Sequence, residues 1–313
     1  MTRLAVFLGA LTLTCAATAR NAVWIDTDPA IGAPWREVDD AFALILAFHS
    51  PELRIAGIST TYGNAPLRRT TEVARDLVRH FGKCAGLTTA DIHAGARSPS
   101  DAAKNSDATE ALARALREER LTYIALGPLT NLADFLKLHP TLAERIERVL
   151  IVGGRSPDAT FAFGPNKSFS VHDANVFKDP AAVAAVLRSS CPLVLTPVEI
   201  APQLALTPTD FRALKRGGPA GRYLNQQTRV WSWFWRTIVG EKGGLVFDVF
   251  AILPAVRSDL LKTETRFVAF DADGDLVAYR EPQPGRRRIQ FAIDTRPETH
   301  SLVLERLGAK TAE

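Results

Sequence analysis

The chain has 313 residues, 46% of them hydrophobic, and carries a formal net charge of +4 scattered along its length. Arg286-Arg287-Arg288 is its basic run, read as a solvated loop, so neither a phosphate-binding patch nor nucleic-acid recognition is indicated. Length alone allows one large domain or two, but no linker rich in Pro, Gly or Ser divides the chain, which favours a single globular domain over residues 20–313.

Met1-Thr2-Arg3, an apolar run from Leu4 to Leu13 and the A-x-A pattern Ala17-Thr18-Ala19 read as a secretory signal peptide over residues 1–19. The run is short for a transmembrane helix, so no stable membrane span is expected in the mature form. Cys15 is an alternative lipid-attachment site, although Thr14 before it fits poorly. A genuine signal places the protein in the periplasm or outside the cell; otherwise it is cytoplasmic. Cys84 and Cys191 then remain, and their spacing suggests neither a disulfide framework nor zinc.

From Ala22 onward, short β-branched runs alternate with longer amphipathic stretches, the pattern of βαβ units. Ala22 to Asp26 reads as a strand, Asp39 to His49 as a helix and Leu53 to Thr61 as a strand. Helices follow over Leu67 to Phe81 and Asp107 to Arg117, a strand over Leu121 to Gly127 and a helix over Asn131 to Lys137. Arg148 to Gly153 is a buried strand, Pro180 to Arg188 a helix and Pro192 to Pro197 a strand. The fold class is α/β: one domain with an open, mostly parallel twisted sheet flanked by helices. In such sheets ligands lie beyond the carboxyl ends of the strands. Asp26, Asp28, Asn64, Leu126-Gly127-Pro128 and Gly153-Gly154 fall there.

Asp26, Asp28, Asp39 and Asp40 gather where a strand ends and a helix begins. Four carboxylates so placed repel one another and require a positive partner, a hard metal first of all. Each has a simpler reading: Asp26 as a turn or cap residue, Asp39 or Asp40 as a favourable charge in a helix's first turn. Those readings do not account for the four together. Asn131 reads as a helix cap, and Asp179-Pro180 as a helix start.

Asp26-Thr27-Asp28-Pro29 with Asp39-Asp40-Ala41, Thr61-Tyr62-Gly63-Asn64, the block from Ala125 to Ala133, Asn175-Val176-Phe177-Lys178-Asp179-Pro180 and Phe247-Asp248 follow one another along the chain. Five such blocks in this order resemble the inosine-uridine nucleoside N-ribohydrolase family. The resemblance implies a Rossmann-like nucleoside hydrolase fold and calcium-dependent cleavage of the N-glycosidic bond of purine or pyrimidine ribonucleosides, giving ribose and a free base for salvage. It implies Asp28, Asp40 and Asp248 as side-chain calcium ligands, the Leu126 carbonyl as a fourth, and Asp28 also as general base on the metal-bound water. Asp39, Asn64, Asn166, Asp173 and Asn175 would bind ribose. Asp173 stands where the family usually has Glu. Relatives are commonly dimers or tetramers, so a homo-oligomer is expected.

The chain departs from the family at Ala30 to Val38, an insertion between Asp28 and Asp39. Gly32 and Pro34 are expected to turn it outward, with Trp35 or Arg36 reaching the site mouth. Phe247 replaces a histidine that protonates the leaving base in purine-cleaving relatives, and phenylalanine has no proton to donate. Residues Ala96 to Asp107 lack the glycine-rich, His-containing loop common in relatives. Trp231 and Trp235 share a helical face and, with Phe247, are expected to contact the nucleobase; a core-packed helix or an oligomer interface is the alternative. Two other functions compete: a non-catalytic nucleoside- or ribose-binding homologue, and a haloacid-dehalogenase-like phosphatase whose nucleophile motif Asp26-Thr27-Asp28 resembles. That motif requires Thr or Val where Ala30 stands.

Overall fold

The computed structural model describes residues 20–33, 35–99 and 104–308. The signal-peptide reading, Cys15 and Pro34 lie outside them. β1 (Asn21–Thr27), α1 (Asp39–Phe48), β2 (Leu53–Thr60), α2 (Leu67–Phe81), β3 (Ile92–Ala94), α3 (Asp107–Glu118), β4 (Leu121–Ala125), α4 (Thr130–Leu138) and β5 (Ile146–Val152) form the alternating first half. A short hairpin, β6 (Ala162–Phe163) and β7 (Phe169–Ser170), precedes α5 (Ala174–Lys178), α6 (Pro180–Arg188) and β8 (Leu193–Thr196). The helices α7 (Pro208–Arg216), α8 (Pro219–Gln227) and α9 (Arg229–Trp233) run into a π-helical turn over Phe234–Val239. α10 (Val249–Val256), β9 (Leu261–Phe270), β10 (Leu276–Tyr279), β11 (Arg287–Thr295) and α11 (Thr299–Gly308) complete the described chain.

Nine strands form one sheet in the order β10-β9-β11-β8-β5-β4-β1-β2-β3, parallel except where β9 pairs with β10 and β11. The order reverses direction between β1 and β4, whose registers place Asp26 opposite Ala125. Crossovers leaving these two strands run to opposite sides, which opens a crevice at their carboxyl ends.

The two faces are covered differently. α1 is apolar all round after Asp39-Asp40 and every residue of it is buried, because the helices α2, α8, α10 and α11 pack around it, with α10 itself lying on the sheet. The opposite face carries α3, α4 and α6 over Trp24, Tyr123, Val149 and Leu195. Trp24 fits there because Gly57 on the neighbouring strand leaves room; a Cβ at Gly57 would come within 2.4 Å of the indole.

The arginine triplet differs from its sequence reading. Arg287 and Arg288 open β11, Arg287 donates to the Cys191 carbonyl at 3.0 Å, and the Arg286 guanidinium stacks 3.6 Å from the Tyr279 ring centre. Apolar residues further along the strand recruit this basic segment into the sheet. Cys84 and Cys191 are both free thiols. Among the described residues no helix is long and apolar enough to cross a membrane.

Candidate active site

Asp28 emerges from β1 at the crevice and is buried. Its Oδ2 accepts the Asn64 amide at 2.6 Å and lies 3.9 Å from Lys178 Nζ. Gly63 and Gly127 press against the carboxylate, where added Cβ atoms would come within 1.7 Å of Oδ2 and 2.8 Å of Oδ1. Asp40, in the first turn of α1, faces it: Oδ1 accepts the Asp28 amide at 3.0 Å and the Thr27 hydroxyl, and Oδ2 accepts Asn64 Nδ2 at 3.0 Å. Asp39 reaches across to the start of α10, where its Oδ2 accepts the Asp248 amide at 3.2 Å.

Asp39, Asp40 and Asp248 each offer a carboxylate oxygen within 4.8 Å of the other two. Burial, followed by neighbouring negative charge, drives the Asp28, Asp39 and Asp248 carboxyls well above the ordinary carboxylate range. Asp40 is also raised by burial, against the opposing hydrogen bonds from Thr27, Asp28 and Asn64. Lys178 offsets only part of this charge. An all-oxygen, anionic donor set with unrelieved repulsion fits a hard divalent cation.

The Leu126 carbonyl stands at the end of β4 and accepts Asn175 Nδ2 at 2.8 Å; the same amide lies 3.4 Å from the Val152 carbonyl beyond β5. Asp173 caps α5, accepting Val176 N at 3.3 Å and Gly154 N at 2.7 Å, and burial lifts its carboxyl to about 6. One cavity of about 200 Å³ brings together Asp39, Asn64, Leu126, Asp173, Asn175 and Asp248. Its other side is aromatic, formed by Phe161, Phe163, Phe169, Trp235 and Phe247. The rings pack edge to face, with Phe163 5.4 Å from Trp235 and 5.6 Å from Phe247 between centroids.

Other sequence candidates fall elsewhere. Asn166 is exposed in the turn between β6 and β7, outside the cavity lining. Trp231 is also outside it: its ring packs on Phe42 and its Nε1 donates to Glu37 at 2.7 Å. Asp26 is fully buried behind the site, where Ser59 Oγ and Asn131 Nδ2 donate to its Oδ1 at 2.6 and 2.7 Å. Burial holds this carboxyl at about 6 despite those bonds. Asn131 is therefore a brace rather than a cap; Leu129 takes the cap position of α4 without a side-chain bond. Asp179 does start α6, accepting Ala182 N at 2.9 Å.

Two titratable lining residues escaped the sequence reading, as did the phenylalanines of the aromatic side. Glu37, from the insertion, enters the cavity beside Asp39, while Trp35 and Arg36 line a neighbouring groove. Burial raises the Glu37 carboxyl to about 7, against the lowering effect of the Trp231 bond. His172, between β7 and α5, lines the cavity from the hairpin side. Neither belongs to a motif that would have marked it.

A carboxylate cluster at a topological switch point, open to an aromatic-walled cavity, defines a small-molecule site of the doubly wound α/β class. Residues 23–299 match the inosine-uridine preferring nucleoside hydrolase family, and the chain belongs to that family. It is accordingly an N-glycosyl hydrolase. The non-specific ribonucleoside hydrolase RihC of Escherichia coli (strain SMS-3-5) is 29% identical over 284 residues, covering 83% of this chain and 86% of the relative. Among solved structures, the plant nucleoside hydrolase PpNRh1 superposes with a TM-score of 0.77 at 23% identity, over 93% of this chain and all of that one. The purine-preferring ribonucleoside hydrolase from Gardnerella vaginalis gives 0.75 at 20% identity, covering 92% and 98%. These two likenesses establish the fold. Family membership leaves no place for the phosphatase reading of Asp26-Thr27-Asp28.

Proposed function

We infer that the protein hydrolyses the N-glycosidic bond of ribonucleosides to ribose and free base, with calcium as its metal. The observation that carries this reading is the cavity in which Asp39 and Asp248 of the acidic cluster meet both a set of short polar side chains and an aromatic wall, with Asp40 directly behind them. Asp28, Asp40, Asp248 and the Leu126 carbonyl are the proposed ligands, with Asp39 close enough to Asp40 and Asp248 to share the ion. Calcium, when bound, supplies a Lewis acid that holds the ribose diol and makes water more acidic.

The protein's own groups do the rest. Asp28 is the base: Asn64 N and Lys178 fix its Oδ2, and a proton taken there leaves the water to attack the anomeric carbon. Charge developing on the sugar as the bond to the base breaks is met by the surrounding carboxylates. Asp39, Asn64, Asp173 and Asn175 line the polar side and orient the hydroxyls, while Trp235 and Phe247 receive the base. The aromatic rings also exclude bulk water from the reacting carbon.

Reaction outside the cytoplasm, following export by the N-terminal segment, fits scavenging of nucleosides, and assembly as a homodimer or homotetramer completes the reading. Purified protein and an Asp28→Ala variant, incubated in calcium with purine and pyrimidine ribonucleosides, test it by release of reducing sugar. Wild-type release that the variant loses supports it. Absence of release from every nucleoside leaves a binding homologue instead, and normal release by the variant removes the role of Asp28.

A further inference from the structure

Breaking a nucleoside places an electron pair on the base, and a purine or pyrimidine anion leaves poorly near neutral pH unless a proton arrives with it. Phe247 cannot provide one, nor can Phe161, Phe163 or Phe169. The acidic side chains that share the cavity are otherwise committed. Asp173 is engaged by the Gly154 and Val176 amides. Glu37 accepts the Trp231 indole and sits against Asp39 at the carboxylate end.

His172 is differently placed. It is the imidazole among the described residues that line the cavity, and it comes from the same segment as Phe169 on the aromatic side. Its ring lies parallel to Phe177, with centroids 4.7 Å apart and planes 14° apart. That stack fixes the ring plane at the cavity mouth while leaving its nitrogens on the ring edge, where hydrogen bonds are made. The residue is exposed on its outer side, so a proton given up to a ligand is replaced from solvent.

Building on the nucleoside hydrolase reading, we propose that His172 is the catalytic residue that protonates the departing base. As the bond between the anomeric carbon and the base nitrogen breaks, its electron pair passes to the base. The proton on one His172 ring nitrogen transfers to a ring nitrogen of the base. Water adds to the anomeric carbon and its proton goes to Asp28. The neutral imidazole then regains a proton from solvent and Asp28 releases the proton it took from water, so the net reaction consumes one nucleoside and one water and yields ribose and neutral base. The inserted function comes from the β7–α5 connection rather than from the Phe247 position.

The test compares two leaving groups in the full-length, calcium-loaded enzyme. Inosine requires protonation of its base, whereas 4-nitrophenyl β-D-ribofuranoside releases a stable nitrophenolate without it. His172→Ala and His172→Gln are expected to lower kcat on inosine by about 10²-fold or more, the usual scale for a general acid. Turnover of the nitrophenyl riboside by the same variants should stay within about threefold, which also reports that the site is intact. A parallel loss on both substrates would assign His172 to positioning of Asp173 and overturn the proposal. Unchanged inosine turnover, or rescue by glutamine alone, would overturn it too. Wild-type enzyme that cleaves neither substrate would instead refute the hydrolase reading on which it rests.

Discussion

Alanine at Gly63 is a steric probe of Asp28 that leaves every proposed catalytic side chain in the sequence. Its Cβ would stand 1.7 Å from Asp28 Oδ2 and 2.7 Å from Cγ, and ordinary contact begins at 3.4 Å, so the two must separate by about 1.7 Å more. The carboxylate has little room to yield, because Gly127 backs its other oxygen and the Asn64 amide holds Oδ2 at 2.6 Å. A displacement of about 1 Å in a reacting group costs on the order of 10²-fold in rate. Gly63→Ala should therefore lower kcat by at least about 10²-fold, some 2.7 kcal/mol of barrier. Gly86→Ala is the control: its φ of +76° demands a left-handed backbone, but the added Cβ meets nothing within 4 Å. It should lose roughly 1 kcal/mol of stability and keep its kcat. The assay is ribose release at saturating nucleoside, with urea unfolding of both variants alongside. Gly63→Ala with wild-type kcat would show that the Asp28 carboxylate is not needed where the structure holds it.

Asn131→Ala removes a donor to Asp26 at 2.7 Å and an acceptor for Ala96 N at 2.8 Å, both buried, and should cost about 2–4 kcal/mol in urea unfolding; an unchanged midpoint would deny the brace. In chelator, stability should fall as pH rises. The folded carboxyls of Asp26 and Asp173 lie near 6 and that of Glu37 near 7, all above their unfolded values, so their contribution is complete below about pH 4 and is lost through pH 6–7. Each of the first two is worth on the order of 3 kcal/mol, and a melting temperature that climbs over that window would contradict the raised pKa values. Trp235→Ala should raise KM because the ring lines the cavity, whereas Trp231→Phe, which loses the Glu37 bond, should lower the melting temperature with KM nearly unchanged. The reverse pattern would exchange their roles.

Much of this was legible in the sequence because local and tertiary demands coincide. Leu67–Phe81 and Pro180–Arg188 have the bounds that helical periodicity and a Pro start suggest, and β4 with the carboxyl-terminal parts of β1, β2 and β5 are runs buried on both faces. The acidic cluster was visible because adjacent aspartates at a strand end have no common structural explanation. β9, β10 and β11 were not assigned, since their pairing is non-local and β9 is only partly apolar, with Lys262, Thr263 and Arg266 interrupting it. The face shared by Trp231 and Trp235 assumed regular α periodicity; the π-helical turn from Phe234 breaks it, and the two indoles meet different cavities. Asn131 looked like a cap because its position was counted from the wrong first residue, and its partner Asp26 is distant in sequence. Glu37 and His172 are single residues whose placement depends on how an inserted loop and a short hairpin fold, which no spacing rule conveys.

If the carboxylates converging on Asp40 hold a cation that catalysis needs, hydrolysis of ribonucleosides depends on that ion. The direct measurement is the rate of ribose release from inosine and uridine by chelator-treated, dialysed protein, before and after calcium is restored. Release that is negligible without the ion and returns with it is the expected result. Release that proceeds equally well in excess chelator would show that the carboxylate cluster holds no cation the reaction needs.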